Sequence, residues 1–177
     1  MKKVLFIIAK EGFRDEEYFI PKSILATDFE IVTASNGEPG SIALGSLGGE
    51  AKIDLKLNDV QVDDYEAVIF VGGPGALKNL DSEISYRLAQ EALTKNKILA
   101  GICIAPVILA KAKVLENKQA TVWSSPLDKK PIKILEANGA RYLNQDVVED
   151  GNTITANGPQ SAEKFGQKIK AKLSQLS

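Results

Sequence analysis

"KILAGICIAPVILAKA", residues 97–112, changes character at its middle. The first half, "KILAGIC", is a continuous apolar run of strand length, the pattern of a parallel strand covered on both faces. The second half reads as a helix that begins almost without a loop. A strand that turns at once into a helix, with Cys103 at the joint, has the form of a nucleophile elbow, in which one residue is forced into a strained turn. Gly101 relieves crowding two residues before that turn, and Ala105 is small on its other side. A sulfur at a helix N-terminus is favoured as thiolate by free N–H groups and by the helix dipole. The competing reading is a buried cysteine that only fills space, as free cysteines commonly do.

The same alternation extends outward in both directions. "KVLFIIA" (3–9), "FEIVTAS" (29–35) and "EAVIFVGGPG" (66–75) read as strands, the last running into a glycine loop. "DEEYFIPKSILA" (15–26) carries Phe19, Ile20, Ile24 and Leu25 at helical spacing, and Pro21 within it predicts a kink or a late start. "SLGGEAKIDLKLNDV" (46–60) alternates Ala51, Ile53, Leu55 and Leu57 with polar residues and predicts an exposed strand or hairpin. Asp81 is the expected cap of the helix "SEISYRLAQEALTKN" (82–96), whose apolar stripe is Ile84, Leu88, Ala92 and Leu93. "QATVW" (119–123) predicts a strand, and "PIKILEANG" (131–139) a helix from Pro131 to its stop at Gly139. "VVEDGNTIT" (147–155) predicts a hairpin, and "SAEKFGQKIKAKLSQL" (161–176) a closing helix. No linker, repeat or low-complexity tract interrupts the order. Residues 1–177 are therefore expected to form one α/β domain, with a mostly parallel central sheet and helices on both faces. Ligands of such sheets lie beyond the carboxyl ends of the strands. Cys103 and "GGPG" both fall there.

Composition narrows the chemistry. Apolar residues at 44% and charged residues at 25% fit a soluble globular protein. A formal charge of -1, with both signs interspersed, leaves no cationic face for nucleic acid or a membrane surface. "VLFIIA" (4–9) is too short to span a bilayer or serve as a signal segment. One cysteine makes no internal disulfide, and no Cys and His cluster suggests zinc, so no metal or other cofactor is expected and a reducing cytoplasm is the natural address. The chain has no histidine, which removes the usual general base.

Two further stretches accompany the cysteine. In "FVGGPGAL" (70–77), Gly72, Gly73 and Gly75 allow a tight turn with exposed amides, and the Gly73 and Ile104 amides can together form an oxyanion or anion pocket. A plain strand-to-helix turn explains these glycines equally well. The third glycine of a dinucleotide fingerprint is missing, and no Gly-Lys-Ser/Thr makes a P-loop. In "EGFRDEEYFIP" (11–21), Asp15 and Glu16 read as dipole complements on a solvated face. Glu17, followed at once by Tyr18, Phe19 and Ile20, can instead turn beneath the sheet edge. Desolvated and protonated there, it would donate to a Cys103 thiolate; ionised, it would repel one.

Taken together, "DEEYFIP", "GGPG", "GICIAP" and the terminal "ITANGPQSAEKFGQKI" resemble the ThiJ/PfpI family in the same order and over essentially the whole chain. The resemblance implies a flavodoxin-like three-layer sandwich and a homodimer. It implies Cys103 as elbow nucleophile and redox-sensitive thiol, Glu17 as its protonated partner, and the Gly73 and Ile104 amides as anion pocket. The departures are specific. The family's protease branch has a histidine directly after the cysteine, where this chain has Ile104. Its deglycase branch has one near "VWSSPL", where this chain offers Trp123, Ser124 and Ser125, with a serine hydroxyl as possible support and an ordinary turn as the plainer role. The Cys-His-Glu triad of related amidotransferases cannot be built, and a Cys-His peptidase mechanism is poorly supported. Three functions stay open: cysteine-dependent chemistry on small reactive carbonyls, non-enzymatic sensing of an oxidant through Cys103, and a binding domain with an inert thiol.

Overall fold

The computed structural model describes residues 1–176. Its core follows from the alternation of apolar residues along its inner strands. In β1 (Lys3–Ile8), Val4, Phe6 and Ile8 pack into one core, while Leu5 and Ile7 pack into a second on the opposite face. A strand with two buried faces must be flanked by cover on both sides, and helices supply it. After β1 come β2 (Glu11–Phe13), α1 (Asp15–Leu25) and β3 (Glu30–Ser35). A hairpin of β4 (Ile42–Gly45) and β5 (Glu50–Lys52) follows, then β6 (Leu55–Lys56), β7 (Ala67–Phe70), α2 (Ala76–Leu80) and α3 (Glu83–Thr94). The elbow joins β8 (Ile98–Ile102) to α4 (Pro106–Lys111). The chain ends with β9 (Gln119–Ala120), α5 (Lys130–Ala137), β10 (Arg141–Tyr142), β11 (Val147–Asp150), β12 (Thr153–Ala156) and α6 (Ala162–Gln175).

The main sheet has seven strands in the order β11-β12-β8-β7-β1-β3-β6, and only β11 runs antiparallel. The parallel strands follow the flavodoxin-like winding, and the switch in strand order lies between β1 and β7. One face is covered by α1 and α6 through Tyr18, Leu25, Phe165, Ile169 and Leu173; the other by α3, α4 and α5 through residues such as Leu88, Ala92, Ile108 and Leu135. Buried Tyr18 meets Phe6 and Phe13 edge-on with ring centroids 5.5 Å apart in each pair, and its hydroxyl lies 2.8 Å from Thr33 Oγ1.

Several local expectations need correction. A further short strand follows β1: β2 pairs with β4 in a separate three-stranded sheet. Helix α1 starts at Asp15 with Pro21 inside it, so the proline does not delay the start. Asp81 does not cap α3; Ser82 holds that position, and Asp81 accepts the Tyr86 hydroxyl and pairs with Lys111. Ser85 and Ala89 join Leu88 and Ala92 as the buried stripe, with Ile84 and Leu93 only partly buried. Helix α4 is six residues long, ended by Lys113 at φ +64°. "QATVW" is a strand only at Gln119–Ala120, because Val122 and Trp123 leave the β9–β10 pair and turn toward the elbow.

Candidate active site

Cys103 leaves β8 with φ +63°, a left-handed conformation that a non-glycine residue holds only when its surroundings over-determine it. Two backbone bonds do so. The Cys103 N–H donates to Ala156 O at 2.8 Å, and the Trp123 N–H donates to Cys103 O at 2.8 Å. The thiol is partly exposed. The amides of Ile104 and Gly73 favour charge on the sulfur, and among the described residues neither donates to a backbone carbonyl.

Glu17 sits in the first turn of α1 with its side chain fully buried. Its Oε2 accepts the Gly72 N–H at 3.0 Å, while the Arg14 N–H donates to Gly72 O at 3.0 Å, so the loop after β7 is stitched to the start of α1 by both polar groups of one residue. Gly72 admits no side chain: a Cβ there would lie 2.8 Å from both Cys103 Cβ and Glu17 Oε2. Gly73, at φ +113°, would drive a side chain into the Arg14 backbone. Glu17 Oε1 is buried without a partner of hydrogen-bonding geometry. Burial pushes the Glu17 carboxyl up from its ordinary 4.5 to about 7, against the opposing pull of Cys103 and of the Gly72 amide. Burial also pushes the Cys103 thiol up, and the Glu17 charge adds to that, while the Ile104 and Gly73 amides pull it down. The carboxyl and thiol therefore titrate as a pair: the first proton leaves near pH 7 and the second is held far above.

Above the pair opens a cleft of about 370 Å³ lined by Arg14, Glu17, Gly73, Cys103 and Ile104, with Pro74, Leu77, Trp123 and Pro159 as its apolar walls. The topology thus gathers Cys103, Glu17, Gly73 and Ile104 at the carboxyl ends of β1, β7 and β8. Ser124 and Ser125 are outside the lining; Ser125 Oγ accepts the Asp128 N–H at 3.0 Å in a turn. Asp15 and Glu16 do more than complement a dipole. Asp15 accepts the Leu47 and Gly49 amides at 2.9 and 2.6 Å and so fixes the β4–β5 turn, and Glu16 pairs with Arg14. Arg14, Leu77 and Pro159 were not singled out from the sequence. The one signal for Pro159 was its place in "NGPQ", directly after β12, which pairs with β8. No group of three or more metal-ligating side chains occurs among the described residues, and none of their helices is long and apolar enough to cross a membrane.

Comparison with known proteins agrees with this architecture. An uncharacterised protein of Methanocaldococcus jannaschii is 37% identical over 171 residues, covering 94% of this chain and 80% of its own. A protein of Pyrococcus furiosus named deglycase PfpI is 30% identical over 157 residues, covering 89% of this chain and 90% of its own. The crystal structure of a ThiJ/PfpI domain protein from Brachyspira murdochii superposes with a TM-score of 0.90 at 32% identity, covering 99% of this chain and 98% of that one. The sequence profile of the DJ-1/PfpI family matches residues 2–172. With a profile match along nearly its whole length and this fold, the chain belongs to the DJ-1/PfpI family.

Proposed function

We propose that this protein acts on small reactive carbonyls, as a glyoxalase- or deglycase-like enzyme of stress defence, with Cys103 as nucleophile. The observation that carries the reading is the strained Cys103 beneath the cleft, with two amides free of backbone acceptors on one side and the orphaned oxygen of buried Glu17 on the other. The deglycase name of the P. furiosus relative supports the same class of substrate. In this reading the single proton of the pair rests on Glu17 Oε1 and the charge on sulfur, because the Gly73 and Ile104 amides are free of backbone acceptors and Oε1 has no donor.

With an α-oxoaldehyde, the thiolate attacks the aldehyde carbon and forms the C–S bond. The carbonyl π pair moves to oxygen, which the Gly73 and Ile104 amides stabilise and which takes the Glu17 proton, giving a hemithioacetal. The Glu17 carboxylate then removes the hydrogen on that carbon as a proton, the hydroxyl proton passes across the resulting enediolate to the former ketone oxygen, and Glu17 returns its proton to the neighbouring carbon. A thioester of a 2-hydroxy acid results. Water cleaves it, releasing the acid and restoring the thiol, so that methylglyoxal and water give lactate and a proton. No histidine takes part. One acid/base group performs every transfer, and general acid–base groups each contribute about 10²–10⁴ in rate, so turnover is slow beside enzymes with two. Ser124 and Ser125 have no step.

The same reading makes the protein a homodimer of a reducing cytoplasm. Ile42 and Leu44, two residues apart on β4, are exposed beside Leu47 and support a self-association surface. The test of function is lactate formation from methylglyoxal, measured enzymatically against Cys103→Ala. Activity lost in that variant is expected; no activity above it in the parent protein refutes the carbonyl reading. Sulfinate formation at Cys103 under mild peroxide, without turnover, would place the protein among oxidant sensors instead.

A further inference from the structure

Arg14 is the single cation among the residues that line the cleft, and Glu17, on the floor, is the single acid. The remaining walls, Pro74, Leu77, Trp123 and Pro159, offer an incoming anionic group no charge. Two anchors hold the arginine. Its backbone N–H is fixed to Gly72 O at 3.0 Å, and its side chain donates to Glu16 through Nε at 2.7 Å and Nη2 at 3.1 Å. These bonds occupy one edge of the guanidinium. Nη1 has no acceptor among the described residues, so the end formed by Nη1 and the second N–H of Nη2 stays open. That end presents two parallel donors, the arrangement that receives a carboxylate or phosphate bidentately. Glu16 does not cancel this capacity, because both partners are about one-third exposed and such pairs are weak in water. Glu16 instead holds the fork in place before a ligand arrives, which lowers the ordering cost of binding.

We infer that Arg14 is a specificity-determining residue that selects α-oxoaldehydes carrying a carboxylate or phosphate at the end remote from the aldehyde. The inference rests on the reading of Cys103 as the nucleophile that meets the aldehyde. The anionic end lies against the Arg14 fork while the aldehyde reaches the sulfur, so neutral methylglyoxal is the poorer member of the class. The Arg14 charge draws the Glu17 carboxyl down, and the Glu17 and Cys103 charges raise Arg14 in turn, which agrees with its nearness to the reacting pair.

The test separates this inference from the one beneath it. Alkylation rates of Cys103 are measured with anionic iodoacetate and neutral iodoacetamide, and their ratio is compared between the parent protein, Arg14→Gln and Arg14→Lys. Any change in the reactivity of the thiol itself cancels in the ratio. Loss of the charge should lower the iodoacetate-to-iodoacetamide ratio about five- to tenfold, the scale of a charge-assisted contact at a partly exposed site. Arg14→Lys should keep part of it, and added salt should lower the parent ratio toward that of Arg14→Gln. In turnover, Arg14→Gln should raise KM for 4,5-dioxopentanoate relative to methylglyoxal by a similar factor, with the ratio of kcat values unmoved. An unchanged alkylation ratio in Arg14→Gln, with Cys103 still reacting with both reagents, overturns the role of Arg14. A Cys103 inert to both reagents in the parent protein overturns the nucleophile reading itself.

Discussion

Replacing Glu17 with Gln should alter stability in a pH-dependent way whose sign and size follow from the site. Glutamine keeps a carbonyl oxygen for the Gly72 N–H and places an uncharged NH₂ where Oε1 now has no partner, so it imitates the protonated acid. In the unfolded chain Glu17 ionises near its ordinary 4.5, whereas in the fold its burial keeps the pair from giving up a proton until about pH 7. Between those values the native state binds more protons than the unfolded state, so stability falls as pH rises. The contribution is complete below about pH 4.5 and is lost by about pH 7, a change of roughly 3 kcal/mol. Glu17→Gln carries no such loss. The two proteins should be similarly stable at pH 4.5, and the variant should gain on the parent by up to roughly 3 kcal/mol as pH reaches 7. For a domain of this size that corresponds to a relative rise in Tm on the order of 6–12 °C. Urea unfolding of both proteins at half-unit pH intervals measures the difference directly, and titrating groups outside the Glu17–Cys103 pair cancel. Stability curves that stay parallel from pH 4.5 to 7 would refute the claim that burial raises this carboxyl.

Two further substitutions probe the surroundings of the site. Gly72→Ala sets a Cβ 2.8 Å from Cys103 Cβ and 2.7 Å from Ile102 O; overpacking should lower stability by about 1–3 kcal/mol in urea unfolding and slow alkylation of Cys103 by iodoacetamide. Leu44→Lys puts a charge in the middle of the exposed apolar stretch of β4, and light scattering after gel filtration should report a dimer for the parent protein and a monomer for the variant.

The parts of the fold that were legible in the sequence are those whose signal is local. Continuous apolar runs at 3–9, 66–71 and 97–102 fall on β1, β7 and β8, and the Asp150-Gly151 turn falls between β11 and β12. Elements set by long-range contact were not legible. Strand β2 exists because the β4–β5 hairpin folds back beside it, and α4 stops early because Lys113 takes a left-handed turn that nothing in "ILAKAKVL" announces. The site divides in the same way. Cys103 has a local signature in the abrupt strand-to-helix joint. Arg14 becomes part of the cleft only once β1 and β7 pair in parallel and bring its amide to Gly72 O, 58 positions along the chain. Leu77 and Pro159 follow β7 and β12 and reach the same cleft only through sheet order. Glu17 was legible as a candidate, but the balance between burial and its amide bond is a property of the folded state alone.

The central claim is that the anionic charge of the pair rests on sulfur and its remaining proton on the acid. A single cysteine makes this measurable without ambiguity, by absorbance near 240 nm against pH, with Cys103→Ala subtracted to remove tyrosine. Thiolate absorbance that is already present below the ordinary thiol range is the predicted result, since in this account the first proton the pair gives up comes from sulfur. A signal that stays flat through pH 9 would mean that the carboxyl ionises while the thiol keeps its proton, and would contradict the account.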